Sequence, residues 1–209
     1  MRRIVFHLDP ISPFVHLAFM RLPEVLAGTH HEVEIRPVLF GAMLKALANK
    51  GPAEIEPKRQ WTFRHVAWLA AQHGIVMQTP AVHPFNPLPL LRLLLAAGAN
   101  RHHTELVLRH VWEGGADATD PARLSALRDA LAPARDPDGD DVKAELRRNT
   151  EAALAAGAFG VPSFELDGRL FWGLDALPML RDALAGGAWF DGPAWADAGA
   201  VRPGTVRPV

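Results

Sequence analysis

Residues able to do chemistry gather at three places in the chain. The first is Leu8-Asp9-Pro10-Ile11-Ser12-Pro13-Phe14, where an apolar run ends and a helix begins. Ser12 is a favourable N-cap residue, because its hydroxyl can accept from the free amides of a first helical turn. Pro13 suits the first helical position, where its missing N–H costs nothing. A hydroxyl and several unpaired N–H groups aimed at one spot suit an anion. The second place is Phe159-Gly160-Val161-Pro162-Ser163. A proline entering a strand removes a ladder hydrogen bond, so it calls for a reason. The third is Phe171-Trp172-Gly173-Leu174-Asp175, at the mouth of the last helix. Free N–H groups there can hold a carboxylate, and Asp175 can meet an ammonium. A ligand carrying both groups on one carbon, an α-amino acid end, suits that pair.

Composition narrows the chemistry further. The chain has no cysteine, which removes disulfides, thiolate metal sites and a cysteine nucleophile. Of its 10 histidines, no pair stands with a carboxylate at metal-ligand spacing. His102, His103 and His110 read as surface or boundary residues of one helix, and no metal is expected. The formal net charge of -1, with acids and bases mixed along the chain, argues against nucleic acid or an anionic membrane as partner. The hydrophobic fraction of 49% can fill a real core in 209 residues. Arg2 and Arg3 precede a short apolar run broken by His7 and Asp9, which reads as a strand rather than a signal peptide. The longest apolar stretch, 88–99, contains Pro89 and Arg92 and is too short to span a bilayer. The expected compartment is the cytoplasm.

The elements that must position these residues follow from periodicity and breakers. Residues 4–8 predict a buried strand, 13–26 a helix stopped by Gly28, and 32–40 a second strand. A strand, a helix and a strand in so short a span favour a right-handed parallel unit. From residue 41 to 157 nearly every segment predicts helix: 42–49, 57–72, 87–97 behind an Asn86 cap, 101–113, 120–131 and 141–156. Strand character returns at 163–166 and 169–172, joined by the strong hairpin signal Asp167-Gly168. A helix over 175–184 follows. The tail, 186–209, is rich in Gly, Pro and Ala and is expected to be irregular, with Trp189, Phe190 and Trp195 packing on the body or a partner subunit.

Together these residues resemble the DsbA-like branch of the thioredoxin superfamily, and within it the 2-hydroxychromene-2-carboxylate isomerases and the kappa-class glutathione transferases. The resemblance runs from about Ile4 to Leu184. Besides the three stretches above it rests on Arg36-Pro37-Val38-Leu39, Asn49 and Pro57-Lys58-Arg59, taken in this order around a helical insertion. His83-Pro84-Phe85-Asn86-Pro87 is more similar to the isomerases than to the transferases. The implied fold class is α/β, thioredoxin-like, with a large all-helical insertion between the β-α-β and β-β-α halves. Residues 1–40 and 158–185 would form a discontinuous thioredoxin-like domain, 41–157 the insertion and 186–209 the tail.

The resemblance implies a cis bond before Pro162 and a glutathione site. Ser12 would take the place of the first cysteine of the disulfide oxidoreductases and contact the glutathione sulfur. The Val161 backbone, presented by Pro162, would pair with the cysteinyl unit like an added strand. Asp175 and the amides of Gly173 and Leu174, beside Trp172, would take the γ-glutamyl end. Asn49, Lys58, Arg59 and Asn86 would line the substrate side, where a cation suits an aromatic carboxylate. Val15, His16 and Leu174 depart from the family pattern.

A thiol becomes a strong nucleophile only once ionised, so Ser12 reads as a stabiliser of a bound thiolate. The expected activity is glutathione-dependent isomerisation of 2-hydroxychromene-2-carboxylate-like intermediates of aromatic degradation, by a homodimer. A kappa-like transferase or peroxidase acting on electrophiles, or a catalytically silent glutathione-binding scaffold, are the alternatives. A disulfide oxidoreductase is excluded by composition alone.

Overall fold

The computed structural model describes residues 1–200 and 204. The chain opens with strand β1 (Arg2–Leu8), helix α1 (Pro13–Val25) and strand β2 (His31–Pro37). Helices α2 (Phe40–Ala46), α3 (Glu56–Gln72), α4 (Leu88–Ala96), α5 (Arg101–Trp112), α6 (Pro121–Leu131) and α7 (Asp140–Ala155) follow. Strands β3 (Ser163–Leu166) and β4 (Arg169–Trp172) and helix α8 (Leu177–Leu184) complete the main body. The four strands form one sheet in the order β2-β1-β3-β4. β1 runs parallel to β2, while β3 is antiparallel to both β1 and β4. The two ends of the chain thus build one sheet, with the helical block between them in sequence. This is the α/β, thioredoxin-like arrangement the resemblance implied.

Alternation within β1 explains why the sheet is covered on both sides. Ile4, Phe6 and Leu8 join the main core cluster with Phe19 and Leu22 of α1, and Phe6 stacks on Phe164 of β3 at 4.6 Å. α1 also contacts α8, while α4 and α7 lie against β2. The helical block is pinned to α1 by a smaller cluster of Leu17 with Val66 and Ala70 of α3, flanked by Phe14 and Leu69. That contact holds α3 alongside α1. Among the described residues, no helix is long and apolar enough to cross a membrane.

Of the places where the structure departs from the periodicity reading, three have an evident cause. β2 stops at Pro37 instead of continuing to Phe40, because side chains collect the next amides. Thr150 Oγ1 accepts from the Leu39 N–H at 3.0 Å and Asp9 Oδ2 from the Phe40 N–H at 2.9 Å, so Phe40 starts α2. α8 starts at Leu177 rather than Asp175, since Gly173 turns the chain with φ +97° and leaves Asp175 in the loop. The tail is not irregular in its described part. It forms two short helices, α9 (Ala188–Asp191) and α10 (Pro193–Gly199). The cause is the aromatic set: Phe190 is buried and, with Trp195, packs on Phe171 of β4 at 5.9 Å each. The remainder of the tail, 201–203 and 205–209, lies outside the described residues.

Candidate functional site

The turn from β1 into α1 is organised by Asp9, which is fully buried. Its Oδ1 accepts the Ile11 N–H at 3.0 Å, its Oδ2 accepts the Phe40 N–H, and its carbonyl accepts the Ser12 N–H at 3.1 Å. Burial pushes the Asp9 carboxyl up to about 7 against the pull of those two side-chain bonds. The carbonyls on either side of the turn are held from the helical block. Trp112 Nε1–H donates to Pro10 O at 2.9 Å, and His83 donates from Nε2 to Ile11 O at 2.9 Å. A carbonyl can only accept, so the His83 proton sits on Nε2. Burial, aided by the nearby Arg59 charge and opposed by the bond to Ile11, holds His83 below the ordinary imidazole range.

Ser12 stands at the N-cap of α1, and its carbonyl accepts the Val15 N–H at 3.0 Å. Its hydroxyl does not cap the helix, contrary to the expectation from residue type. The proline loop comes close enough that Ser12 Oγ donates instead to Val161 O at 3.2 Å. The Val161–Pro162 bond is cis. The Val161 N–H has no hydrogen-bond partner among the described residues. Gly173 N–H donates to Pro162 O at 2.9 Å, tying the end of β4 to this loop. That amide is therefore not free for a ligand, which corrects half of the expected amide pair. The Leu174 N–H has no such partner among the described residues.

A groove of about 510 Å³ runs beside this contact, a size usual for small-molecule sites. Val161, Pro162, Trp172, Gly173, Leu174 and Asp175 all line it. The structure thus brings six of the seven expected glutathione contacts to one wall, with Ser12 just behind Val161. Trp172 is exposed at the rim, tilted against Phe159 at 4.8 Å. The four residues expected on the substrate side do not line the groove. Asn49, Lys58 and Asn86 are exposed. Asn49 Oδ1 accepts the Lys50 N–H and Asn86 Oδ1 the Leu88 N–H, both local turns. Arg59 is half-buried, 3.7 Å from Glu56, and is the member of the four whose charge reaches His83. Val15 and His16 are buried in the core, with His16 Nε2 3.1 Å from Val76 O.

The opposite wall was not foreseen. Phe14, Arg21 and Val25 of α1 line it, with His65, Leu69 and His73 from α3 and its cap. The available signal was the spacing i, i+7, i+11 of Phe14, Arg21 and Val25 along α1, which shares one face.

Gly173 is fixed by two constraints. Its φ is +97°, and a Cβ there would stand 2.4 Å from Asp175 Oδ1. Gly173→Ala is expected to cost about 1–3 kcal/mol in urea denaturation and to turn the Asp175 carboxylate out of the groove. A variant as stable as wild type would mean that the loop relaxes freely.

Comparison with known proteins bears on the fold. A 2-hydroxychromene-2-carboxylate isomerase of Sphingobium xenophagum is 28% identical over 195 residues, covering 88% of this chain and 98% of the relative. A glutathione S-transferase kappa 1 of Homo sapiens is 27% identical over 207 residues, covering 88% and 91%. Among solved structures, a 2-hydroxychromene-2-carboxylate isomerase superposes with TM-score 0.76 at 22% identity over 94% of this chain and 98% of that one. The cytosolic disulfide reductase DsbM of Pseudomonas aeruginosa superposes with TM-score 0.58 at 19% identity, over 91% and 100%. Residues 3–185 match the family model of the DSBA-like thioredoxin domain. That span takes in the whole sheet, the helical block and α8, and on it the chain belongs to the DSBA-like thioredoxin family.

Proposed function

We propose that this protein is a glutathione-dependent isomerase of 2-hydroxychromene-2-carboxylate-like aromatic intermediates. The observation that carries the reading is the Ser12–Val161 contact at the edge of the groove, in a chain without cysteine. The residues present fit a thiol tripeptide. The unpaired Val161 N–H suits a cysteinyl carbonyl, and Asp175 with the Leu174 N–H suits an α-amino acid end. Bound glutathione would supply a thiolate that adds reversibly to a conjugated carbon, with no net redox change.

The chain's own residues have simple tasks in this reading. Ser12 Oγ gives up the Val161 carbonyl and donates to the sulfur, at the positive end of α1. Pro162 and Gly173 keep the proline loop at its height. Asp9, His83 and Trp112 fix the backbone that carries Ser12. Arg59, whose charge reaches His83 beside Ile11, would be the cation that faces a substrate carboxylate.

A second reading has an observation of its own. Asn49, Lys58 and Asn86 are exposed and do not line the groove, so fixed polar partners there for one carboxylated substrate are few. That favours a kappa-like transferase with a broad range of electrophiles. Turnover of 2-hydroxychromene-2-carboxylate, measured with and without glutathione, separates the readings. Isomerisation that requires glutathione is the expected result. Isomerisation without it would remove the mechanism, and conjugation of a model electrophile with no isomerisation would favour the transferase.

A further inference from the structure

The groove is lined by one carboxylate, Asp175, and one guanidinium, Arg21, and Arg21 lies outside every ligand contact considered so far. We infer that Arg21, supported by His73, is a carboxylate subsite for the thiol ligand, an inference that rests on the glutathione reading above. Three observations carry it.

First, the loop before α8 is short of donors. The Gly173 N–H is spent on Pro162 O, so Leu174 is left to meet a carboxylate on that side. A ligand whose ammonium sits at Asp175 needs its negative charge matched elsewhere.

Second, Arg21 has donors to spare. Its Nη1 donates to His73 Nδ1. Its Nε is buried without a hydrogen-bond partner among the described residues, though it lies 3.3 Å from Glu24 Oε2. No partner for Nη2 occurs among the described residues. Glu24 is an exposed carboxylate in an i,i+3 surface pair, which is worth little and exchanges readily. Because Nδ1 of His73 accepts, its ring proton is on Nε2, a further donor.

Third, reach and surroundings suit the task. Arg21 is two helical turns beyond Phe14, about 10 Å along the axis of α1. Its bond to His73, which lines the same groove, keeps the guanidinium beside it. Leu69, Val25 and Pro178, which line the same groove, are apolar, and partial exclusion of water strengthens a charged hydrogen bond. A guanidinium offers the planar fork that a carboxylate matches in two bonds. Glutathione has two carboxylates, γ-glutamyl and glycyl, and both share this chemistry.

The test is calorimetric binding of glutathione and of its glycyl ethyl ester to wild type, Arg21→Gln and Arg21→Lys. Arg21→Gln is expected to weaken glutathione about tenfold to a hundredfold, with Arg21→Lys in between. If the ester binds wild type as weakly as glutathione binds Arg21→Gln, the glycyl carboxylate is the one held. If the ester binds wild type normally and Arg21→Gln still loses affinity, it is the γ-glutamyl one. Arg21→Gln binding glutathione as wild type does would overturn the inference alone. Wild type binding neither ligand would overturn it together with the glutathione reading. Ligand-free melting of both variants reports folding, and Arg21→Lys carries the test if Arg21→Gln does not fold.

Discussion

Ser12→Ala is expected to lower glutathione-dependent turnover about a hundredfold to a thousandfold, the usual loss when one donor to a developing or resident oxyanion-like charge is removed. The hydroxyl donates to a residue that lines the groove, and this present acceptor, Val161 O, is a neutral carbonyl at 3.2 Å that a thiolate outcompetes. Without it, the bound thiol returns toward its reference pKa of about 8.5. The loss should therefore shrink as the pH of the assay rises above 8, while wild type stays flat. Stability should change little: one lost hydrogen bond is worth about 1 kcal/mol, or about 2–4 °C in a protein of this size. A variant equally impaired at every pH would point to a steric rather than an electrostatic role for Ser12.

Asp9 should give the largest stability effect. Asp9→Ala leaves the Ile11 and Phe40 amides without their acceptors, at about 1–3 kcal/mol for each buried N–H. That is a large share of the roughly 5–15 kcal/mol that hold a protein folded. The pH dependence is more diagnostic. Folded Asp9 keeps its proton up to about pH 7, against an ordinary value of 3.8. Between those limits the folded state binds more protons than the unfolded chain, so rising pH favours unfolding, by at most about 1.4 kcal/mol per pH unit. The stability this group contributes is present below pH 4 and is lost as the pH climbs through 7. Asp9→Asn removes the titration but pairs only one of the two amides. It should be the less stable protein at pH 5, with the gap to wild type closing by pH 8. Parallel urea denaturation profiles for the two proteins across that range would mean that Asp9 is ionised throughout.

Much of the frame was legible in the chain because local chemistry set it. Asp167-Gly168 demanded a hairpin, and both residues have positive φ, +49° and +74°. Ser12-Pro13 marked the start of α1. The cis bond at Pro162 followed from the family resemblance rather than from the dipeptide. The direction of the Ser12 hydroxyl was not legible, because its acceptor belongs to a loop 149 residues away and proximity overrode the local capping preference. The basic wall of the groove was hidden for the same reason: Arg21 and His73 are ordinary surface residues until Leu17, Val66 and Ala70 bring α3 against α1. His83 stood inside a motif, but nothing in that motif says its ring binds the Ile11 carbonyl.

The bonds from Trp112 and His83 to Pro10 and Ile11 bear on how this architecture can be recombined. The helical block looks like a cassette that could be exchanged to change substrate. It also carries two of the clamps on the backbone that presents Ser12. A donor block without an indole and an imidazole at those positions would leave two carbonyls dry at the root of α1. The chimera would keep its sheet and lose the alignment of its hydroxyl. Exchange for a new specificity therefore has to graft around Trp112 and His83, not through them.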